Sequence, residues 1–342
     1  MQAVRIHQNG EPSVLQVEDL PIPKPGAGQV LVRVLAASVN HLDLWVRRGI
    51  PGLKLPLILG CDGTGEIAEL GAGVTGLKVG QKVVLEPGFS SGDSEFDRAG
   101  LDHLSDDYGI RGEHSDGFDC EFVVLDARFV FPLPAGLDPI VGAAAPLTFV
   151  TAWGMLVTRT QLKRGETVLV LGGTSGVGQA AIQIANDLGA RVIATSSAEA
   201  KRKATKDLGA HEVVDHSQPD WDKAVKKLTD GRGVDVVFEH VGPATWDLAM
   251  RCLARRGRLV TCGGTTGPKV SILLPHLFMK NLSVLGATMG PKNALPGIFD
   301  KLASGKYKLA VDRVLPMSEV RKAHELLEAR QVTGKIVLVP GK

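Results

Sequence analysis

One run of seven residues constrains this chain more than any other: Gly172-Gly173-Thr174-Ser175-Gly176-Val177-Gly178. It follows Thr167-Val168-Leu169-Val170-Leu171, a short continuous apolar stretch that reads as a buried strand. It precedes a segment from Gly178 through Leu188 in which Ala180, Ala181, Ile184, Ala185 and Leu188 share one helical face. Strand, glycine turn and helix in that order open a βαβ unit. The glycines permit a tight turn and let the helix start approach a diphosphate, where unpaired N–H groups and the helix dipole meet the negative charge. The spacing Gly173-x-Ser175-x-x-Gly178 puts serine at the middle glycine, and Gly176 beside it supplies backbone room. A ligand-free glycine turn would leave the agreement of strand, turn and helix without a reason. The turn therefore predicts a dinucleotide contact through Gly173, Ser175, Gly176, Val177 and Gly178.

The alternation continues through residues 148–289. Apolar stretches at Arg191–Thr195, Glu212–Val214, Val234–Phe238, Arg258–Cys262 and Leu282–Gly286 are spaced by helical segments, among them Lys201–Leu208 and Trp221–Leu228. Six strands with helical crossovers predict a doubly wound parallel Rossmann sheet, an α/β fold. Ligands of such sheets lie at the carboxyl ends of strands, which singles out Val241 and Gly242, and Cys262, Gly263 and Gly264. The last strand, at the sheet edge, invites pairing with another copy, so a homodimer is expected.

The second strand's end bears on the choice between NAD and NADP. A carboxylate there would bind a ribose 2′-hydroxyl and repel a 2′-phosphate. This chain has Thr195-Ser196-Ser197 and then Lys201 and Arg202, with no acid. Two hydroxyls and a lysine suit a phosphate, so NADPH is expected over NADH. Lys201 and Arg202 as a solvated helix face is the plainer alternative.

Residues 1–147 have a different texture. Alternating stretches such as Gln29–Val34 and Gln81–Leu85, punctuated by Pro21, Pro23, Pro25, Gly26 and Gly28, predict a mostly antiparallel β domain. Residues 290–342 read as two helices, Ala294–Ala303 and Ser318–Ala329, and a closing strand, Lys335–Val339, returning to that first domain. A net charge of +2 over 342 residues gives no electrostatic case for a nucleic-acid or anionic-membrane partner. No stretch approaches the roughly 20 apolar residues of a membrane span, and the opening residues lack a secretory pattern. Four scattered cysteines, Cys61, Cys120, Cys252 and Cys262, form no disulfide framework, so a cytoplasmic setting is expected.

Further motifs make the chain resemble the medium-chain dehydrogenase/reductases along nearly its whole length. They are Gly60-Cys61-Asp62-Gly63-Thr64-Gly65, Pro146-Leu147-Thr148-Phe149-Val150-Thr151-Ala152-Trp153, the glycine turn, and Gly334-Lys335-Ile336-Val337-Leu338. The resemblance implies a chaperonin-like β-barrel catalytic domain (1–147 with 290–342) beside the Rossmann domain (148–289). Many members of the family hold a catalytic zinc. The matching positions here are Asn40, Cys61 and Leu147, with Asp62 in place of the family's glutamate. Leucine offers no lone pair, and an amide is a poor ligand for Zn²⁺. The family's four structural zinc cysteines fall at Ser91, Ser94, Asp97 and Ser105. The stretch Asp93–Asp107 is expected to be a solvated loop, and both zinc sites are expected to be absent. The stretch Asn40-His41-Leu42-Asp43-Leu44-Trp45-Val46-Arg47-Arg48-Gly49 resembles the zinc-free quinone oxidoreductase branch.

The resemblance assigns Thr151 to the nicotinamide neighbourhood, His41 to the pyrophosphate, Lys335 to a position near the phosphates, and His216 to the slot where that branch often has a tyrosine near the 2′-phosphate. A surface lysine and a plain loop histidine are the alternatives for the last two. Asn40, Trp45, Cys61 and Asp62 are the candidates on the catalytic side. Asn40 either donates to a substrate oxygen or ribose, or caps a helix starting at His41. Trp45 walls a flat pocket or belongs to the core. Cys61 lines the substrate pocket, with no neighbouring base evident. Asp43 and Arg47, four apart, are expected to pair on one helix face.

A saturated carbonyl needs its oxygen polarised, whereas conjugation spreads the developing charge in a quinone or enone. Loss of zinc therefore shifts the expected activity to NADPH-dependent, metal-free reduction of quinones or α,β-unsaturated carbonyls, small-molecule substrates. The alternatives are a zinc-type alcohol or aldehyde dehydrogenase and, in another class, a non-catalytic NADPH-binding sensor or structural protein.

Overall fold

The computed structural model describes residues 1–341. The chain forms two compact units, Met1–Leu147 with Pro291–Lys342, and Thr148–Gly290. In chain order the strands of the first segment are β1 (Gln2–Ile6), β2 (Gln16–Asp19), β3 (Gln29–Val39), β4 (Leu57–Ile58), β5 (Asp62–Leu70), β6 (Lys82–Leu85), β7 (Gly88–Phe89), β8 (Gly109–Ile110), β9 (Phe122–Asp126) and β10 (Val130–Pro132). The second unit contributes β11 (Thr167–Val170), β12 (Arg191–Thr195), β13 (Glu212–Val214), β14 (Val234–Glu239), β15 (Leu253–Thr261) and β16 (Ser283–Gly286). The chain closes with β17 (Val311–Pro316) and β18 (Lys335–Val339).

In the first unit a seven-stranded sheet runs β10-β6-β5-β3-β18-β17, with β9 also paired to β3. All of its pairings are antiparallel except β17 with β18. Alternation along β3 divides the core. Val30, Val32 and Val34 pack with Ile67, Val83, Leu85 and Leu125. Val39 joins Leu57, Leu59, Ile336 and Leu338 in a second cluster. Each such aliphatic side chain contributes about 2 kcal/mol when fully buried. The strand β17 was not expected from the sequence, because Asp312 and Arg313 interrupt its apolar pattern.

The second unit is one six-stranded parallel sheet, in the order β13-β12-β11-β14-β15-β16. The strand bearing the glycine turn lies inside it, and β16 lies at an edge. Leu169, Ile193, Val237 and Leu259 pack on Trp221, Val225, Trp246 and Met250 of the crossover helices. The helix after the turn spans Gly176–Asp187, two residues earlier than its apolar pattern predicts. Its true start is set by Ser175, whose Oγ accepts from the Gly178 N–H at 3.0 Å. Among the described residues, no helix is long and apolar enough to cross a membrane.

Candidate functional site

In the second unit the turn's backbone is shaped by its neighbours. Gly172 has φ +60°. Its N–H donates to Thr195 Oγ1 at 3.1 Å, and that of Gly173 to the Thr195 carbonyl at 2.9 Å. A Cβ on Gly173 would stand 2.5 Å from Thr205 Cγ2, and one on Gly178 would stand 2.3 Å from the Gly172 carbonyl oxygen. Only glycine fits at either place. The N–H groups of Gly176 and Val177, in the first turn of the helix, make no hydrogen bond among the described residues. These unspent donors, with glycine on both flanks, form a cradle that fits a diphosphate.

At the end of β12, Ser196 is buried and its N–H donates to the Val214 carbonyl, while Ser197 is exposed. Lys201 is half-buried. Arg202 donates to the Ser197 carbonyl at 2.6 Å and to Asp215 Oδ2 at 3.0 Å. His216 turns its Nδ1 to Thr195 Oγ1 at 2.9 Å, so one ring nitrogen is committed to the same threonine that holds Gly172.

The ends of β14 and β15 are tied by a residue that sequence reasoning passed over. Glu239 is fully buried. Its Oε1 accepts from the N–H groups of Val241 and Gly242, at 2.8 and 2.7 Å, and from Thr245 Oγ1 at 3.1 Å. Its Oε2 accepts from Thr261 Oγ1 at 3.1 Å. The signal was an acid at the end of β14, directly after the apolar run Val236-Val237-Phe238. Gly242, at φ +90°, leads into the helix Pro243–Cys252. Cys262 follows β15; burial and then the Glu239 charge push its thiol up to about 12, so it stays protonated. Gly263 and Gly264 are half-buried, and a Cβ on Gly264 would stand 2.4 Å from the Gly267 carbonyl oxygen. Thr151 is buried and donates to the Met289 sulfur at 3.5 Å.

In the first unit, four side chains from three separate stretches of sequence converge: Ser38 and Asn40, Asp62, and Lys335. Asp62, fully buried, accepts at Oδ2 from Ser38 Oγ (3.2 Å), Asn40 Nδ2 (2.9 Å) and Lys335 Nζ (3.1 Å). Its Oδ1 accepts from the Leu147 N–H at 2.7 Å. Asn40 Oδ1 accepts from Lys335 Nζ, and Asn40 Nδ2 also lies 3.3 Å from both the Ser38 carbonyl and Cys61 Sγ. Burial, reinforced by the nearby Asp43 and Asp62 charges, pushes the Cys61 thiol well above its ordinary range, which leaves no basis for a reactive thiolate.

Several expectations are corrected here. Lys335 is not a surface lysine: only 3% exposed, it donates to Asn40 and Asp62. Asn40 stands at the N-cap of the helix His41–Arg48 in a capping box with Asp43, and its side-chain amide N–H also donates into this cluster, whose acceptors compete for the N–H groups expected to reach a substrate. The reciprocal bond is made by Asp43, whose Oδ2 accepts from the Asn40 N–H at 2.6 Å. That leaves Asp43 unavailable to Arg47. The fully buried Arg47 pairs with Glu328, which Arg48 also meets at 2.9 Å. His41 and Trp45 are half-buried on the same helix.

The stretch Asp93–Asp107 is not a solvated loop either. It contains a short helix, Glu95–Arg98, and buried Asp102, His103 and Ser105. Asp97 accepts from Ser90 Oγ (2.5 Å), Ser94 Oγ (2.6 Å) and Ser105 Oγ (3.2 Å). Burial works to raise its carboxyl, but these hydroxyls outweigh it and hold the group at about 2. The single Ser105 hydroxyl hydrogen is shared with Asp107, the nearer carboxylate at 2.6 Å, which also accepts from the Ser91 N–H. The four family zinc positions thus converge on two carboxylates.

With this geometry in hand, comparison with known proteins is direct. Residues 26–135 match the family model described as alcohol dehydrogenase GroES-like domain, and residues 176–304 match zinc-binding dehydrogenase. The chain is 32% identical to a quinone oxidoreductase of Pseudomonas aeruginosa, covering 97% of each chain. It is 30% identical to an NAD-dependent alcohol dehydrogenase of Sulfurisphaera tokodaii, covering 99% of this chain and all of that one. A crystal structure of an NAD-dependent alcohol dehydrogenase superposes with a TM-score of 0.96 at 44% identity, covering all of both chains.

Proposed function

The chain belongs to the medium-chain dehydrogenase/reductase superfamily and is an NAD(P)H-dependent oxidoreductase; from that premise we propose that it reduces a quinone or an α,β-unsaturated carbonyl with NADPH and without a metal ion. The observation that carries this reading is the chemistry of the three positions where relatives bind catalytic zinc. Leu147 has no donor atom, the Asn40 amide is engaged by Lys335 and Asp62, and the Cys61 thiol is held protonated. A buried ammonium already stands in this cluster. Zinc asks for thiolate, imidazole or carboxylate in a tetrahedral set, and these residues do not fit it.

The nicotinamide, when bound, supplies the hydride. The rest falls to the chain's own groups. The N–H groups of Gly176 and Val177 and the hydroxyl of Ser175 meet the diphosphate, with Gly173 and Gly178 leaving it room. Ser196, Ser197, Lys201 and His216 surround the adenosine phosphate, and the absence of an acid at the end of β12 favours NADPH. Thr151, Val241, Gly242, Cys262, Gly263 and Gly264 hold the ring and its ribose. A conjugated acceptor suits a site without a Lewis acid, because its own π-system carries the charge that develops on oxygen.

The alcohol dehydrogenase relatives favour a second reading, an NAD- and zinc-dependent alcohol dehydrogenase. One experiment separates the two: metal analysis of the purified protein, with turnover of a quinone, enone and alcohol panel in NADPH and NADH. NADPH oxidation by a quinone or enone, unchanged after chelation, supports the first reading. About one zinc per chain, lost together with alcohol oxidation on chelation, would overturn it.

The partner proposed is a second copy of this chain. Edge strand β16 follows the helix Leu274–Met279, whose Leu274, Phe278 and Met279 are 64–65% exposed. Light scattering giving the mass of one chain at micromolar concentration would count against it.

A further inference from the structure

His240 was not singled out in the sequence, yet it is the side chain that meets the phosphate turn from the neighbouring strand. It follows β14, half-buried, with Nε2 2.9 Å from the Leu171 carbonyl oxygen and 3.3 Å from Ser175 Oγ. A Cβ built on Gly172 would stand 3.3 Å from both Nε2 and Cε1, so the ring lies flush with the turn.

A carbonyl oxygen can only accept. The 2.9 Å contact therefore requires the proton on Nε2, which fixes the tautomer. Leu171 is fully buried, and an unpaired carbonyl there would be costly, so this donor is needed. The consequence falls on Ser175. With a hydrogen on Nε2, the imidazole offers no lone pair to the serine hydroxyl. Ser175 Oγ already accepts from the Gly178 N–H. Its own hydrogen is left without an acceptor among the described residues, at the same helix start where the N–H groups of Gly176 and Val177 are unspent. Burial also pushes the imidazole below its ordinary range, against the pull of Glu239, which keeps the ring neutral at pH 7.

We propose that His240 is a positioning residue for the dinucleotide: by satisfying the Leu171 carbonyl, it reserves the Ser175 hydroxyl hydrogen for a phosphate oxygen. This rests on the reading of the glycine turn as the diphosphate site. Leucine at position 240 would leave the buried Leu171 carbonyl without its donor, and the Ser175 side chain, released from the imidazole, would turn its hydrogen toward that carbonyl and away from the phosphate.

The test is NADPH titration of the full chain by nucleotide fluorescence, comparing wild type with His240→Leu, His240→Gln, Ser175→Ala, the Ser175→Ala/His240→Leu double variant and Gly178→Val. His240→Leu and Ser175→Ala should each weaken NADPH binding roughly ten-fold, the size of one hydrogen bond to a charged group. The double variant should be no weaker than either single one. His240→Gln, whose amide N–H can serve the Leu171 carbonyl, should recover most of the affinity. Wild-type binding by His240→Leu, or additive losses in the double variant, would overturn the proposal while leaving the turn's role intact. If His240→Leu fails to fold, equal losses in His240→Gln and Ser175→Ala overturn it, and near-wild-type binding by Gln with loss in Ala supports it. Unchanged binding in Gly178→Val would instead refute the reading of the turn.

Discussion

Lys335 and Asp62 form a buried ion pair of 3.1 Å between β18 and β5, two strands of one sheet separated by β3. Neither side chain reaches water, and Asn40 bonds to both. Removing one partner of such a pair strands the other charge in a low-dielectric interior. Lys335→Met should therefore lower stability by about 3 kcal/mol or more, and Lys335→Met with Asp62→Asn should cost less than the two single changes added. Urea unfolding measures both. A single-variant loss below about 1 kcal/mol would mean that the cluster is solvated rather than sealed.

Glu86 directly follows Leu85, the last residue of β6, which pairs with Gly63 of β5. Burial, and then the Asp102 charge, raises its carboxyl to about 8, and Oε2 has no hydrogen-bond partner. The folded value lies above the unfolded one near 4.5. Its contribution is thus fully present below about pH 4.5 and is lost as pH rises through about 8. Glu86→Gln, which mimics the protonated acid, should stabilise the protein at pH 8 and have little effect at pH 4.5. Thermal melts of both proteins at the two pH values check this. An equal shift at both would contradict it.

His324 acts in the opposite direction. It is fully buried, both ring nitrogens lack partners, and burial followed by the Arg47 charge lowers it to about 3. Unfolding frees it to take up a proton below about 6.5. Stability should fall as pH drops from 6.5 toward 3, by at most about 1.4 kcal/mol per pH unit for one proton. His324→Leu should flatten that slope in urea midpoints collected at pH 7, 6 and 5. An unchanged slope would assign it to other groups.

Asp97 holds its lobe through serine hydroxyls, so Asp97→Ala should open residues 91–107 to protease while overnight chelation of the wild type should not. Limited proteolysis followed by mass spectrometry reads both. Cleavage in this stretch after chelation alone would show that a metal closes the lobe.

What could be read directly from the sequence was local. β11, the turn and the following helix lie within a short span, and each residue's preference agrees with its neighbours, so their pattern carries the Rossmann reading. The cluster around Asp62 had no such signature. Lys335 lies 273 positions from Asp62 and 295 from Asn40, and no spacing rule relates them. The pairing expected of Asp43 and Arg47 shows how a local rule can mislead. Each found a better partner, Asp43 in a backbone N–H and Arg47 in Glu328, 281 positions away. Ser91, Ser94, Asp97 and Ser105 looked too polar to be ordered. Their order comes from hydrogen bonds to the carboxylates of Asp97 and Asp107, which composition does not reveal.

The interleaving of the units has a bearing on how the chain is made. Residues 148–290 are contiguous, so the nucleotide-binding sheet holds all its strands once Gly290 has left the ribosome. The other unit must wait. β3 cannot gain its β18 neighbour, nor Arg47 its Glu328, until residues 328–339 are synthesised. The unit that starts before residue 148 is therefore finished only after residue 290, and until then Ala37–Val39 of β3 lack their β18 partners.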